Sequence, residues 1–153
     1  MQVRPAIRDD ADEMSHVLRE IAALKGSTRR TDPEHVLRHY VEHPDRIECS
    51  VAVDETGKVW GFQSLKRAAQ GNIYGVPPGW GIIGTHVSPQ AARRGVGSAL
   101  FAASRSAAER AGLAMIDATI GNANSVAQAY YDTLGFETYR KTAASVCKAF
   151  KVR

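Results

Sequence analysis

Residues 92–100, which read ARRGVGSAL, have the composition of an anion-binding turn. The apolar run 81–87 before them predicts a β-strand, and apolar residues at helical spacing after them predict a helix. Glycines let the backbone approach a ligand closely, and the first N–H groups of a helix have no partner of their own. The helix dipole and two arginines add positive charge. The segment therefore predicts a site for phosphate or pyrophosphate, formed by Arg93, Arg94, Gly95 and Gly97.

The spacing of these glycines matches neither of the two common nucleotide-binding motifs. A P-loop needs a Lys-Ser or Lys-Thr pair after its second glycine, and no such pair follows here. The dinucleotide fingerprint needs three glycines, but Leu100 stands where the third would be. On this segment alone, an ordinary glycine-containing turn stays open as the alternative.

A second segment, residues 124–136, reads NSVAQAYYDTLGF and predicts a helix followed by a strand. Asn124 is a good N-cap, the apolar residues fall on one helical face, and Gly135 is a typical helix terminator. Together the two segments resemble the GNAT superfamily of acyl-CoA-dependent N-acyltransferases. The residues that carry the resemblance are Val87, Pro89, Gly95, Gly97, Asn124, Ala127, Tyr131, Gly135 and Phe136. One position departs from the family pattern: Ala92 replaces the usual Gln or Arg, so cofactor affinity would rest more on the two arginines.

The resemblance implies acetyl-CoA (coenzyme A) as co-substrate, direct transfer of its acetyl group to a primary amine, and no metal. It also implies that the backbone N–H of Val87 polarises the thioester carbonyl. The implied cofactor-binding residues are Val87, Arg93, Arg94, Gly95, Val96, Gly97, Ser98 and Asn124. An N-acetyltransferase is the leading interpretation. The alternative is a GNAT-like module that binds or senses acyl-CoA without turnover, which Ala92 leaves open and Tyr131 argues against.

Tyr131 is the predicted general acid, because a phenol with a pKa of about 10 is protonated at pH 7 and can donate to a departing thiolate. A tyrosine that only packs in the core is the alternative. His86 is the candidate general base, since it neighbours Val87 and has a suitable intrinsic pKa. Its side chain should face opposite to that of Val87, so a strand histidine without a catalytic role stays open. Asp117 is a further candidate, and a reaction through water without a dedicated base is also open.

The amine acceptor is predicted to be a small molecule or a peptide, and three aromatic residues predict its site. Tyr74 and Trp80 lie in the loop before the central strand, and Tyr40 lies in a helix that the resemblance places over the acceptor side. An aromatic plug that packs the loop onto the body is the alternative. Three histidines spaced by four predict one helical stripe, interpreted as a solvated face rather than a metal site: His35, His39 and His43.

Length and composition are those of a single domain, residues 1–153, with a core of ordinary size. The net charge of +4 at pH 7 suits a polyanionic cofactor, and no basic run or set of base-stacking aromatic residues predicts nucleic-acid binding. Neither a signal peptide nor a membrane span is predicted, so we expect a cytoplasmic protein with Cys49 and Cys147 reduced. A homodimer formed through the edge of the last hairpin stays open.

The elements that must position these residues follow the order βααβββαβαββ, which is that of the GNAT fold. The predicted class is α/β (α+β), with a central mixed, mostly antiparallel sheet flanked by helices. The predicted bounds include a first strand from Val3 to Ile7, a strand from Leu113 to Ile120 and a last hairpin from Phe136 to Val152. Gly84 predicts a bulge in the central strand, which would splay it from the next strand and open a slot for the pantetheine arm.

Overall fold

The computed structural model describes residues 1–153 and has the predicted order of seven strands and four helices. The strands are β1 (Gln2–Pro5), β2 (Arg46–Val53), β3 (Val59–Arg67), β4 (Gly81–Val87), β5 (Met115–Gly121), β6 (Glu137–Lys141) and β7 (Ser145–Lys151). The helices are α1 (Ala11–Lys25), α2 (Pro33–Val36), α3 (Val96–Arg110) and α4 (Ser125–Leu134). None of them has the length and apolar composition that crossing a membrane requires.

All seven strands form one sheet in the order β1-β2-β3-β4-β5-β7-β6. Every neighbouring pair is antiparallel except β4 and β5, which run parallel and are joined by the α3 crossover. The predicted class, a mixed and mostly antiparallel sheet flanked by helices, is confirmed. One edge of the sheet is β6, where charged residues disfavour pairing with another chain: Glu137, Arg140 and Lys141.

The helices cover the two faces of the sheet with separate apolar cores. On the α1–α2 face, Met14 and Val36 pack with Phe62 of β3. On the α3–α4 face, Phe101 packs with strand residues that include Ile83. Because side chains alternate along a strand, odd-numbered residues of β4 lie on the α3–α4 face and even-numbered residues lie on the α1–α2 face. This alternation decides which of the predicted site residues can meet.

Helices α3 and α4 end in the same way, in a Schellman motif. The N–H groups of Gly112 and Leu113 donate back to carbonyls in the last turn of α3, with Gly112 at φ +73°. Gly135, at φ +99°, and Phe136 repeat the pattern at the end of α4. Leu113 therefore belongs to the helix end, and β5 begins at Met115 rather than at the predicted Leu113.

Helix α2 continues into a turn of π-helix, Leu37–Val41, which brings the histidine stripe against the protein. Asp32 caps α2 by accepting from the His35 N–H at 3.1 Å. The rings of His35 and His39 stack with centroids 5.0 Å apart, and His39 packs edge-on against Tyr40. The stripe is thus half-buried rather than solvated as predicted. The π turn, a feature often found at functional sites, carries Tyr40 with its ring facing the sheet.

The central strand β4 separates from β5 after its first two residues, because only Gly81 and Ile82 pair with β5. The prediction of a bulge at Gly84 is wrong. Strands β3 and β4 pair without interruption from Gly81 to Val87, so the structure has no bulge between them. The predicted splay is present all the same. A slot therefore opens between β4 and β5 without any break in the register of β4 against β3.

Candidate active site

The loop before α3 presents five backbone donors without a partner in the protein. The first N–H of α3 with a backbone acceptor is that of Ala99, which donates to the Gly95 carbonyl at 3.1 Å. The unpartnered N–H groups are those of Arg93, Gly95, Val96, Gly97 and Ser98. The loop curls because Arg93 adopts φ +65° and Gly95 adopts φ +74°. Successive N–H groups in such a turn form a concave site for an anion.

The side chains around this loop add positive charge. Arg93 and Arg94 are exposed, and the Arg94 guanidinium lies 5.4 Å from the ring centroid of Trp60. Ser98 is exposed in the first turn of α3, whereas the side chain of Val96 is buried in the core. Val96 therefore offers an anion only its N–H, while both arginines are free to reach one.

Gly97 is required by packing as well as by the loop. A Cβ on residue 97 would lie 2.6 Å from Cε1 of Tyr130. The Tyr130 hydroxyl donates to the Gly97 carbonyl at 2.7 Å, which ties α4 to the first turn of α3. Gly95 differs, because a Cβ there would meet open space and only its positive φ favours glycine. The sequence pattern predicts ligand approach at both glycines but carries no sign of the packing of Gly97 against Tyr130.

Helix α4 is fixed at both ends, which sets the position of Tyr131. Asn124 is the N-cap, as predicted, and its side-chain oxygen accepts from the N–H three residues further on at 3.1 Å. At the other end, the Phe136 ring packs against the Tyr131 ring with centroids 5.0 Å apart, the apolar contact that often accompanies a Schellman motif. The Tyr131 side chain is buried, and its hydroxyl lies 2.8 Å from Thr85 Oγ1 on β4.

The Tyr131 hydroxyl belongs to a network of hydrogen bonds that the sequence did not predict. Gln63 of β3 donates from Nε2 to Thr85 Oγ1 at 2.8 Å and to the Tyr130 hydroxyl at 3.1 Å. Gln63 is fully buried and its Oε1 has no partner, which costs about 1–3 kcal/mol. Burial raises the pKa of Tyr130 and of Tyr131, so both phenols are protonated at neutral pH. The one feature of the sequence that could have indicated this network is Gln63, a polar residue in the middle of a central strand.

The backbone of β4 offers donors and acceptors to the slot beside β5. The Ser88 N–H donates to the Trp60 carbonyl of β3 at 2.8 Å, so even-numbered residues of β4 bond to β3. Odd-numbered residues therefore direct their N–H and C=O groups toward β5. Because β5 pairs only at the start of β4, the Ile83 carbonyl and the backbone groups of Thr85 and Val87 face the slot unpaired. The Val87 N–H, the predicted thioester donor, is among them.

His86 lies on the opposite face of the sheet from Thr85 and Tyr131. Its ring centroid is 4.8 Å from that of Phe62 and 5.4 Å from that of Tyr40. Burial, helped by nearby cationic side chains, lowers the pKa of His86 to about 4. The imidazole is therefore neutral at pH 7 and can accept a hydrogen bond from an amine. As a Brønsted base it is weaker than its intrinsic pKa predicted.

The surroundings of His86 carry unpaired positive charge. Lys66 is half-buried on β3, with its ammonium 5.4 Å from the Tyr40 ring centroid and no carboxylate within salt-bridge distance. Burial lowers the pKa of Lys66, which reflects the cost of an ammonium without a partner. The cations near His86 at neutral pH are Lys25, Arg29 and Lys66, whereas His39 is neutral there because burial lowers its pKa to about 4. This side of the slot therefore favours a negatively charged ligand group.

Asp117, the further base candidate, is already engaged in packing the last hairpin. Its carboxylate is buried and accepts from Thr119 Oγ1 at 2.7 Å and from the Tyr139 hydroxyl at 2.5 Å. Burial raises the pKa of Asp117 despite these two donors. The Trp80 ring packs on the Tyr139 ring with centroids 5.4 Å apart. Trp80 thus fits the alternative interpretation, an aromatic plug that holds its loop on the body.

Tyr74 lines a cleft of about 310 Å³ between the loop before β4 and the β6–β7 hairpin. Thr119 and Arg140 also line it, and Arg140 donates to the Tyr74 carbonyl at 2.7 Å. Thr119 lies on the α1–α2 face, as His86 does, so Tyr74 stands on the side of the sheet where Tyr40 and His86 meet. No group of three or more His, Cys, Asp or Glu side chains has metal-binding geometry.

These features fit an extended thioester cofactor with a pyrophosphate group. The loop leaves five N–H donors and two arginines for phosphates, and the neighbouring strand leaves unpaired backbone groups for amides. The Tyr131 hydroxyl reaches the same strand at Thr85. The five N–H groups of the loop lack a partner within the protein, as a preformed ligand site requires.

A model of the Acetyltransferase (GNAT) family matches residues 12–136, which is most of the chain. The chain therefore belongs to the acetyltransferase (GNAT) family. This result agrees with the two motifs, which lie within the matched range. No curated protein sequence matches the chain.

Several solved structures share the fold over nearly the whole chain. A GCN5-related N-acetyltransferase from Kribbella flavida has a TM-score of 0.79 at 24% identity, covering 98% of this chain and 96% of that one. The protein yncA from Salmonella typhimurium, solved with its cofactor acetyl-CoA, has a TM-score of 0.78 at 19% identity, covering 99% and 94%. A phosphinothricin acetyltransferase from Sinorhizobium meliloti, in complex with acetyl-CoA, has a TM-score of 0.77 at 19% identity, covering 98% and 87%.

Proposed function

We propose that the protein is an N-acetyltransferase that moves an acetyl group from acetyl-CoA to the primary amine of a small molecule or peptide. The observation that carries the proposal is the open edge of β4, which passes the Tyr131 hydroxyl and leads into the anion-binding loop. Two proteins of the same fold were solved with acetyl-CoA, which supports the choice of cofactor. In this proposal residues 1–153 are one catalytic domain that acts in the cytoplasm.

The chain holds the cofactor mainly through its backbone. The five free N–H groups of the loop bind the phosphates, assisted by Arg93 and Arg94, with Ser98 and Asn124 at the starts of the two helices. The unpaired Ile83 carbonyl and the backbone groups of Thr85 bind amides in the slot, as an added strand would. Acetyl-CoA supplies the acetyl group activated as a thioester. The Val87 N–H donates to the acetyl oxygen, where negative charge develops during transfer.

Tyr131 acts as the general acid by giving its hydroxyl proton to the departing thiolate. Burial keeps this phenol protonated at neutral pH, so the proton is present when it is needed. The position of the hydroxyl is fixed, because both ends of α4 are capped and Phe136 packs on the ring.

The acceptor amine enters from the α1–α2 face, where His86 accepts a hydrogen bond from it and Tyr40 packs beside it. Tyr74 lines the way in, and Trp80 holds its loop in place. Positive charge on this face lowers the pKa of a bound amine and so favours the neutral form that attacks. The same charge favours an acceptor that also carries an acidic group, for which Lys66 is the partner.

A thermal-shift experiment with acetyl-CoA tests this proposal. Ligand that binds the folded state raises the melting temperature by mass action, so the wild type should show a rise. Ser98→Asp should abolish the rise, because its carboxylate would occupy the anion site, while the fold tolerates an acidic residue in the first turn. Ser106→Asp makes the same change at an exposed position of the same helix and should keep the rise.

Release of free thiol from acetyl-CoA with a panel of primary amines then tests turnover. Absence of any melting shift at ~1 mM acetyl-CoA would reject the cofactor, since KM values commonly lie below that concentration. Binding without thiol release for any amine would instead favour the sensing module over the enzyme.

A further inference from the structure

A chain of four hydrogen bonds links the loop before α3 to the proposed general acid. In order, its groups are the Gly97 carbonyl, the Tyr130 hydroxyl, the Gln63 amide, the Thr85 hydroxyl and the Tyr131 hydroxyl, at 2.7, 3.1, 2.8 and 2.8 Å. We call this set the hydroxyl–amide network. It lies on the α3–α4 face of the sheet, away from the acceptor side.

The chemistry of each group determines which atom donates. A carbonyl carries no hydrogen, so Tyr130 must donate to Gly97. The Tyr130 oxygen can then only accept, which identifies the nitrogen of the Gln63 amide as its donor. The second hydrogen on that nitrogen goes to Thr85 Oγ1. The orientation of the Gln63 amide is therefore fixed by its neighbours.

Thr85 has one hydrogen to donate, and its shortest remaining contact is to the hydroxyl oxygen (Oη) of Tyr131 at 2.8 Å, where either atom can be the donor. When Thr85 donates to Tyr131, the hydrogen of Tyr131 is free to point into the slot between β4 and β5. The network thus favours the orientation in which Tyr131 is a donor to a ligand.

We propose that Gln63 and Tyr130 are positioning residues for proton transfer, which hold the Thr85 hydroxyl as a donor to Tyr131 Oη. This inference rests on the proposed function, in which Tyr131 is the general acid. The buried, unpartnered Oε1 of Gln63 supports it, because an amide kept at that cost is kept for its NH₂ group. The network also connects the acid to the cofactor loop through Gly97.

In the proton step, the O–H bond of Tyr131 breaks and an S–H bond forms on the departing thiolate. The phenolate left on Tyr131 accepts the hydrogen bond from Thr85, which stabilises its negative charge. The proton that the amine loses on attack returns to Tyr131 through solvent, so the phenol is restored. Without Gln63, the Thr85 hydroxyl is free to rotate and the phenolate loses its fixed donor.

The first test measures the ionisation of Tyr131 in the protein without ligand. Fluorinated tyrosine is incorporated because its phenol ionises at lower pH, and the fluorine resonance of position 131 is assigned with Tyr131→Phe. Thr85→Val and Gln63→Met should each raise the pKa of Tyr131, by about one to two pH units for loss of a hydrogen bond to a charged group. Thr85→Ser keeps the hydroxyl and should keep the wild-type pKa.

Turnover is the second readout. Gln63→Met should lower kcat by about tenfold to a hundredfold, matching the change in pKa, while KM for acetyl-CoA stays near the wild-type value. In a Tyr131→Phe background the same substitution should have no further effect, because the network acts only through that hydroxyl. Gln128→Met is the matched control, since Gln128 bonds only to carbonyls of the β5–α4 turn.

An unchanged pKa of Tyr131 in both Thr85→Val and Gln63→Met overturns the proposal, whatever the activity. An equal loss of turnover with and without the Tyr131 hydroxyl overturns it as well. Failure of the proposed function has a different signature: acetyl-CoA gives no melting shift, or Tyr131→Phe turns over as fast as the wild type.

Discussion

Gly97 and Tyr130 pack so closely that the tyrosine ring fills the space of a side chain at position 97. An ideal Cβ there would lie 2.6 Å from Cε1 and 3.3 Å from the hydroxyl oxygen of Tyr130. The two motifs that carry the family resemblance are therefore in direct contact. One contributes its second glycine, and the other contributes the residue next to Tyr131.

Gly97→Ala should destabilise the protein by about 1–3 kcal/mol, the usual cost of overpacking. It should also weaken acetyl-CoA binding, because the first turn of α3 must move to make room. Unfolding in urea and the melting shift with acetyl-CoA measure the two effects. Gly121→Ala is the control, since a Cβ at the end of β5 meets nothing within 4 Å. Tyr130→Leu in the Gly97→Ala background should recover part of the stability, and no recovery would argue against the ring as the cause.

Much of the fold could be predicted because its signals are local. The Asn124 cap and the Gly135 end of α4 depend on residues within a few positions of one another, and the structure has both. The alternation of side chains along β4 likewise predicts that His86 and Val87 face opposite sides of the sheet, as they do in the structure. Local patterns were also sufficient for the order of the elements, which the structure confirms.

The hydroxyl–amide network could not be predicted in the same way. Gln63 is separated in the sequence by 22 positions from Thr85 and by 67 positions from Tyr130, its two hydrogen-bond partners, and no motif links them. The prediction that the histidine stripe faces solvent was wrong for a related reason. Its spacing shows that the three side chains share one helical face, but only the packing of α2 decides whether that face meets solvent or protein.

Buried imidazoles should make the protein less stable in mild acid. Burial lowers the pKa of His39 and of His86 to about 4, against about 6.5 in an unfolded chain. The unfolded state therefore binds more protons between these values, so the free energy of unfolding should fall as pH drops from about 6.5 to about 4. Above that range the contribution of the neutral imidazoles is fully present.

Melting temperatures measured across this pH range provide the check. His86→Phe removes one of the two groups and should show a shallower loss of stability in acid. His16→Gln, at an exposed position of α1, should follow the wild type. A slope that His86→Phe leaves unchanged would show that other groups control the acid transition.

Lys66→Met should remove a preference for acceptors that carry an acidic group. Amino acids and their C-terminal amides, compared as acceptors by thiol release, differ mainly in that group. The wild type should favour the acids, and the variant should lose about fivefold of this preference, as expected for a partly exposed ion pair of about 1 kcal/mol. Lys151→Met, at the exposed end of β7, should leave the preference intact. Equal use of acids and amides by the wild type would count against an acidic acceptor.

Tyr139→Phe should destabilise the protein by about 1–3 kcal/mol at neutral pH, because it takes one of two donors from the buried Asp117 carboxylate. The deficit should shrink as pH falls through the raised pKa of Asp117, since a protonated carboxyl needs fewer donors. Urea unfolding at several pH values measures both effects. Tyr74→Phe removes an exposed hydroxyl and serves as the control. A deficit that does not depend on pH would point to lost packing against Trp80 instead.

Only two residue pairs join β4 to β5, so the sheet consists of two halves that are connected at one end. One half contains β1 to β4, and the other contains β5, β7 and β6. Helix α3 packs mainly on strands β1 to β4 and α4 packs on β5, while Phe101 of α3 also contacts Phe150 of β7 and so links the two halves. A ligand that bonds to the free edge of β4 would take the place of backbone that β5 does not supply. If acetyl-CoA binds there as proposed, it would also complete the sheet, and the reacting atoms would lie in the interior of a sheet that their own carrier helps to close.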